Sequence, residues 1–243
     1  MEDFEAAIRE LFADIGEEQL GGMRAALAKY QDLDISTTIE LGRWGMTSSL
    51  ACDMRVLFPG SDLYVREDVW DGLSRRLSAE LESQDWASVS HTGYSLKMLF
   101  PERADRLGLD EHAFDAMNYI VPSVWDSSAV FLQRAVELMV LFPRMAGEID
   151  LFDAIVERVL EQANALPPSE YMYYPWRIAH LRVLFPDAAP PLHAEHMESV
   201  IRDCRLAMLQ GSWSAFPRFG APLKLIAATE VRVTDRGLEA VMD

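Results

Sequence analysis

The sequence predicts an all-α fold, an α-solenoid (superhelix) of about five helix-pair repeats in a single domain spanning residues 1–243. Three observations predict it. Leu-Phe-Pro recurs with its proline at Pro59, Pro101, Pro143 and Pro186, 42 or 43 residues apart, and self-similarity at such a period is the signature of stacked repeats. The residues ahead of each proline recur at helical spacing. Nothing in the chain reads as alternating strands joined by hairpin turns.

The N-terminal apolar series Phe4, Ile8, Leu11 and Phe12, then Leu20, Met23, Leu27 and Tyr30, reads as an opening cap and its partner helix. From there each unit reads as helix A, a connector, and helix B ending in Leu-Phe-Pro. Helix A is carried by Val69, Trp70, Leu73, Leu77 and Leu81, then by Phe114, Met117 and Val121. Further copies are Phe152, Ile155, Val156 and Val159, and Met197, Val200, Cys204 and Met208. Connectors hold the chain breakers Pro122, Pro167, Pro168, Pro175, Pro217 and Pro222. Acids stand near the expected starts of the A helices, where the positive end of the helix dipole favours them.

Counting back from the proline aligns the B helices. Position −5 holds Met54, Leu96, Leu138, Leu181 and Leu223; position −3 holds Val56, Met98, Val140, Val183 and Leu225; position −2 holds Leu57, Leu99, Leu141, Leu184 and Ile226. Position −8 is mostly small, with Ala51, Gly93, Ala135, Ile178 and Gly220, and position −15 holds Trp44, Trp86 and Trp213. The fifth copy ends near residue 228 with Ala227-Ala228 in place of Phe-Pro, the deviation expected of a terminal repeat. Positions −8, −5, −2 and −1 share one helical stripe and −3 lies nearly opposite, so each B helix should be covered on two sides. Proline disfavours the α conformation of the residue before it, so each B helix should end at about the Phe.

A net charge of −17 opposes binding to phosphate backbones and to anionic lipid surfaces, which argues against a nucleic-acid reader. No apolar run is long enough to span a membrane, and "MEDFEAAIRELF" lacks the features of a secretory signal, so the cytoplasm is the expected location. Cys52 and Cys204 lie in apolar helical contexts and read as buried thiols. Phosphate loops, nucleophile elbows, CxxC pairs and HExxH motifs are absent from the sequence, and no cofactor is expected.

Four weaker signals remain. Position −4 is a cationic column, Arg55, Lys97, Arg182 and Lys224, that could line one face and bind acidic peptide, or could satisfy last-turn carbonyls. Tyr171, Tyr173 and Tyr174 beside Trp176 and Arg177 suit a protein interface. His193 and His196 in "HAEH" could share a helix face toward a metal, although two ligands do not make a zinc site. Asp110, Glu111 and His112 could pair a base with carboxylates, but acids also belong at a helix start.

In period and helix-pair plan the chain resembles the HEAT and armadillo class of α-solenoids. Its Trp…Leu-Phe-Pro units differ from the usual consensus of that class and look closer to bacterial helical-repeat proteins without an assigned role. The resemblance implies a non-enzymatic scaffold that binds a protein or peptide along one face. Separately, an end repeat with a poorly capped apolar side, such as "MEDFEAAIRELF", makes a homo-oligomer possible. The alternative is a small all-helical enzyme or metal-binding protein with a groove lined by His91, His180 or the His193/His196 pair.

Overall fold

The computed structural model describes residues 67–120, 128–149, 174–185, 216–228, 230–234 and 237–241 continuously. Shorter described stretches lie at 16–18, 52–53, 55–57, 157–158, 201–203, 205–206 and 209–210, with single positions at 21, 151, 161 and 198. Six helices of ten residues or more are described: α1 (Glu67–Glu82), α2 (Trp86–Leu99), α3 (Glu111–Ile120), α4 (Ser128–Leu141), α5 (Tyr174–Leu184) and α6 (Phe216–Ala227). α2, α4, α5 and α6 are the B helices of copies two to five. Copy one contributes helical residues at 52–53 and 55–57. Among the described residues no helix is long and apolar enough to cross a membrane.

The proline rule holds with one shift of register. α2 and α4 end at Leu99 and Leu141, one residue before the Phe, and Phe100 and Phe142 take almost the same backbone angles (φ −132°, ψ 61° and φ −124°, ψ 66°). Pro101 and Pro143 each open a short 3-10 helix, Pro101–Arg106 and Pro143–Glu148. These turns bring Leu107 and Ile149 into the core, each six residues after its proline. α6 has Ala228 where the others have proline, and there the helix continues through Ala227. Removing the proline lengthens the helix, as the steric argument requires.

The Phe of the tripeptide plugs against the A helix before it. Trp70 on α1 meets Phe100 edge-on with ring centroids 5.3 Å apart, and Phe114 on α3 meets Phe142 at 5.2 Å. α1 packs on α2, and α3 packs on both α2 and α4, so the A helices form an outer layer. The B helices pack in succession, α2 on α4, α4 on α5 and α5 on α6. Every described residue at positions −2, −3 and −5 is buried. Position −8 is small because the neighbouring copy comes close: a Cβ on Gly93 would stand 3.2 Å from Leu109 Cδ1 and 3.4 Å from Leu141 Cδ2.

The row of B helices returns on itself. Arg55 of copy one donates to the Leu99 carbonyl of copy two (3.2 Å), and Lys97 of copy two donates to the Leu141 carbonyl of copy three (3.4 Å). Arg182 of copy four donates through Nη1 to the Ile226 carbonyl and through Nη2 to the Ala228 carbonyl (2.7 Å) of copy five. Lys224 of copy five then donates to the Val56 and Leu57 carbonyls of copy one (3.2 and 3.0 Å), across more than 160 residues of sequence. An open superhelix keeps its first and last copies apart; here the last is bonded to the first. The expected superhelix is corrected on this point to a closed row.

The chain is mostly helical but not purely so. Glu230–Thr234 (β1) pairs antiparallel with Gly237–Val241 (β2), with Thr234 opposite Gly237 and Glu230 opposite Val241. This hairpin lies against α2, α4, α5 and α6 at once, and Leu238 is buried. A body that touches four successive members of a closed row sits at its centre. The alternation Val231, Val233 and the Gly237 beyond a two-residue link carried a strand signal, masked by the shortness of the strands.

Two outcomes check this packing. Lys224→Met keeps the apolar stem but leaves two buried carbonyls without their charged donor, and urea unfolding should show a loss of about 1.5–3 kcal/mol. Gly237 has φ +114° and its missing Cβ would stand 2.2 Å from Met98 Sδ. Gly237→Ala should therefore lower stability by about 2 kcal/mol or more in the same assay.

Candidate functional site

At 3.6 residues per turn, positions −3, −6, −7 and −10 of a B helix fall within about 100° of arc. The outward positions −1, −5 and −8 lie on the far side, and −4 and −2 lie on the two flanks where the copies bond to each other. The −3 to −10 stripe therefore faces the lumen of the closed row. Its −3 end is apolar and meets the hairpin, as Met98 does at Gly237. The other end is polar: Asp53, Ser95, Glu137 and His180 at −6, Cys52 and Tyr94 at −7, and His91, Gln133 and Trp176 at −10.

Glu137 is the centre of this end and is only 1% exposed. Its carboxylate accepts four hydrogen bonds. Oε1 receives His91 Nδ1 (2.8 Å) and Gln133 Nε2 (2.9 Å); Oε2 receives Ser90 Oγ (2.8 Å) and Arg134 Nη1 (2.7 Å). Arg134 Nη1 also donates to Ser90 Oγ (2.6 Å). Burial pushes the Glu137 pKa up, but the His91 bond, the Arg134 charge and Gln133 outweigh it and hold the carboxyl below its ordinary value. An ionised carboxylate only accepts, so His91 carries its proton on Nδ1 toward Glu137 and its Nε2 is left for other partners.

Cys52 and Tyr94 lie nearby. Burial, then the Asp53 and Glu137 charges, pushes the Cys52 thiol well above its ordinary pKa, so it is not a nucleophile in the folded state. Burial also raises Tyr94, helped by Cys52, Asp53 and Glu137. His180 is pushed down to about 4 by burial, opposed by the charge of Glu137. Tyr94 and His180 are thus closely surrounded by protein, yet each keeps some accessible surface.

The residues singled out from sequence fall in other places. In the cationic column Lys97 and Lys224 are buried, Arg55 and Arg182 half-buried, and all four reach carbonyls of the adjacent copy. They satisfy last-turn carbonyls, as the alternative held, but those of the neighbouring helix. Tyr174 begins α5, and Tyr171, Tyr173, His193 and His196 lie outside the described residues. Asp110 accepts from the Ala113 amide at 2.9 Å and so caps α3. His112 is exposed and meets Trp86 edge-on at 6.0 Å. Among the described residues no cluster of three or more His, Cys, Asp or Glu is arranged to hold a metal ion.

His91 and His180 were legible as groove candidates; Glu137, Tyr94, Gln133 and Arg134 were not. The −10 column, Ser49, His91, Gln133, Trp176 and Arg218, is polar or aromatic in every copy and marks Gln133; Glu137 at −6, Tyr94 at −7 and Arg134 at −9 stand outside it. Comparison with protein-family models, with curated proteins and with solved structures returns no match.

The two shifted groups act in the same direction on acidification. His180 has a folded pKa near 4 against an ordinary 6.5, so the unfolded chain takes up a proton first and stability falls as pH drops from 6.5 toward 4. Glu137, also depressed, loses its contribution below the ordinary carboxylate value. His180→Gln should flatten the upper part of that decline, by up to about 3 kcal/mol between pH 7 and 4 in urea unfolding.

Proposed function

We propose that the chain is a non-enzymatic helical-repeat scaffold, on a plan like that of HEAT and armadillo repeats, that binds a basic protein or peptide on its outer surface. The observation that carries the reading is a division of labour among residues. The residues that recur from copy to copy are committed to the interior: −2, −3 and −5 to the core, −4 to the bonds between copies. What faces outward differs from copy to copy and is available to a partner. Leu206 and Leu209 are helical, three residues apart, and 48% and 54% exposed, and Tyr119 is 84% exposed. A chain of net charge −17 draws a basic partner to such apolar points and repels phosphate backbones, anionic lipid and a second copy of itself. The cytoplasm is the setting that fits this reading.

The chemistry of the lumen supports a binding role over a catalytic one. Ser90 gives its proton to Glu137 and accepts from Arg134, and the Cys52 thiol stays protonated. Neither is poised to attack. The second reading, a small all-helical enzyme or metal-binding protein with a His-containing groove, draws on the His91–Glu137 pair, which could serve as a general base beside a bound substrate.

The test is calorimetric titration with a basic amphipathic helical peptide. Binding should weaken as salt rises. Leu206→Glu with Leu209→Glu should lower affinity tenfold or more and leave the melting temperature unchanged. Equal affinity in the double variant contradicts this reading.

A further inference from the structure

The B helices of the closed row meet at seams, and the polar bonds across those seams are unevenly shared. Arg55 ties copy one to α2 through the Leu99 carbonyl (3.2 Å). Arg182 ties α5 to α6 through the Ile226 and Ala228 carbonyls, and Lys224 ties α6 to copy one through the Val56 and Leu57 carbonyls. The α2–α4 seam is held most heavily. Lys97 reaches the Leu141 carbonyl, Ser90 and His91 both bond to Glu137 on α4, and Arg134 on α4 reaches back to Ser90.

At the α4–α5 seam the register is the same and the chemistry is not. The carbonyl that corresponds to those of Leu99, Leu141, Ile226 and Leu57 is that of Leu184, at position −2 of copy four. The residue in register to donate to it is Met139, at −4 of copy three, and a thioether has no proton to give. Met139 packs against the core instead. Among the described residues no hydrogen bond or ion pair joins α4 to α5. What spans this seam is the hairpin: β1 lies against both α4 and α5, and its Val231 and Val233 pack on the core. Hydrogen bonds to a charged group are stronger than neutral ones, so the lack of one is enough to shift a local opening equilibrium tenfold. Proteins open locally where such ties are fewest.

We propose that the row opens at the α4–α5 seam, with β1 as the strap that holds the two helices together. Glu137 lies on the inward stripe of α4 and His180 on that of α5, so this opening gives the polar residues of the interior a path to solvent. The device is independent of the outer surface to which the scaffold reading assigns a protein partner.

Thiol labelling of the full chain under native conditions tests it. Ala135 is buried at position −8 of α4, the position from which a Cβ on Gly93 of α2 would reach Leu141 of the next copy. Ala135→Cys therefore places a thiol at the α4–α5 seam. Cys52, buried in copy one, is the internal reference, and peptide mass spectrometry reads each site separately. In low urea, position 135 should be labelled at least tenfold faster than Cys52, at a rate nearly independent of urea. Met139→Lys supplies the missing donor and should slow labelling at 135 tenfold or more, leaving Cys52 as it was. Val231→Ala with Val233→Ala loosens the strap and should speed labelling at 135 at least threefold. If Met139→Lys folds poorly, the valine pair and the urea dependence still decide. Labelling of position 135 and Cys52 at one shared rate set by global unfolding, or a rate at 135 that neither set of substitutions moves, would overturn the proposal.

Discussion

The last turn of an α-helix leaves carbonyls without intrahelical donors, and a proline just beyond it supplies no N–H to help. In this chain the missing donor is the cation at position −4 of the preceding helix in the row. Arg55, Lys97, Arg182 and Lys224 each reach across a seam to carbonyls in the last turn of a neighbour. The bond is charge-assisted and meets the negative end of the neighbour's dipole. It sets the height of one helix against the next and therefore the angle at which the row turns. Four such bonds carry the row around until copy five meets copy one. The seam between α4 and α5 differs, because position −4 of copy three is Met139, packed against the core; apolar contact alone joins that pair of copies at this position.

The interior follows from this constraint. Once −4 and −2 lie on the flanks and −5 and −8 face the outer helices, the remaining stripe has nowhere to point but inward. The chain fills one end of the resulting space with its own C-terminal hairpin, whose Leu238 enters the core and whose Gly237 leaves room for Met98. The other end keeps polar residues, and Glu137 organises them. A buried carboxylate with four donors is electrostatically settled.

Much of the helical fold was legible because the tripeptide is mechanically meaningful: Pro ends the helix, Leu fills the core and Phe meets an aromatic of the preceding helix. The apolar columns at −2, −3 and −5 marked buried positions correctly. The −4 column left two readings open, a face for acidic peptide or donors to last-turn carbonyls, for a specific reason. A cation in a last turn satisfies the dipole of its own helix or of a neighbour equally well, and only the packing of the copies decides between them. Closure was illegible for the same reason, since the turn from copy to copy is a property of pairs of helices. The hairpin was missed because five-residue strands such as Glu230–Thr234 carry little periodic signal. The polar stripe was present in the −10 column, but its inward direction depends on the ring being closed.

Closure is therefore the claim on which the lumen and its hairpin rest. Methyl-labelled Val and Leu with nuclear Overhauser spectroscopy tests it most directly, because Val56 and Leu57 are far in sequence from Lys224 and bonded to it in the fold. The account predicts cross-peaks from the side chains of Val56 or Leu57 to Lys224 and its neighbours in α6. Cross-peaks from Val56 and Leu57 to copy two alone, with none to residues 220–228, would contradict it.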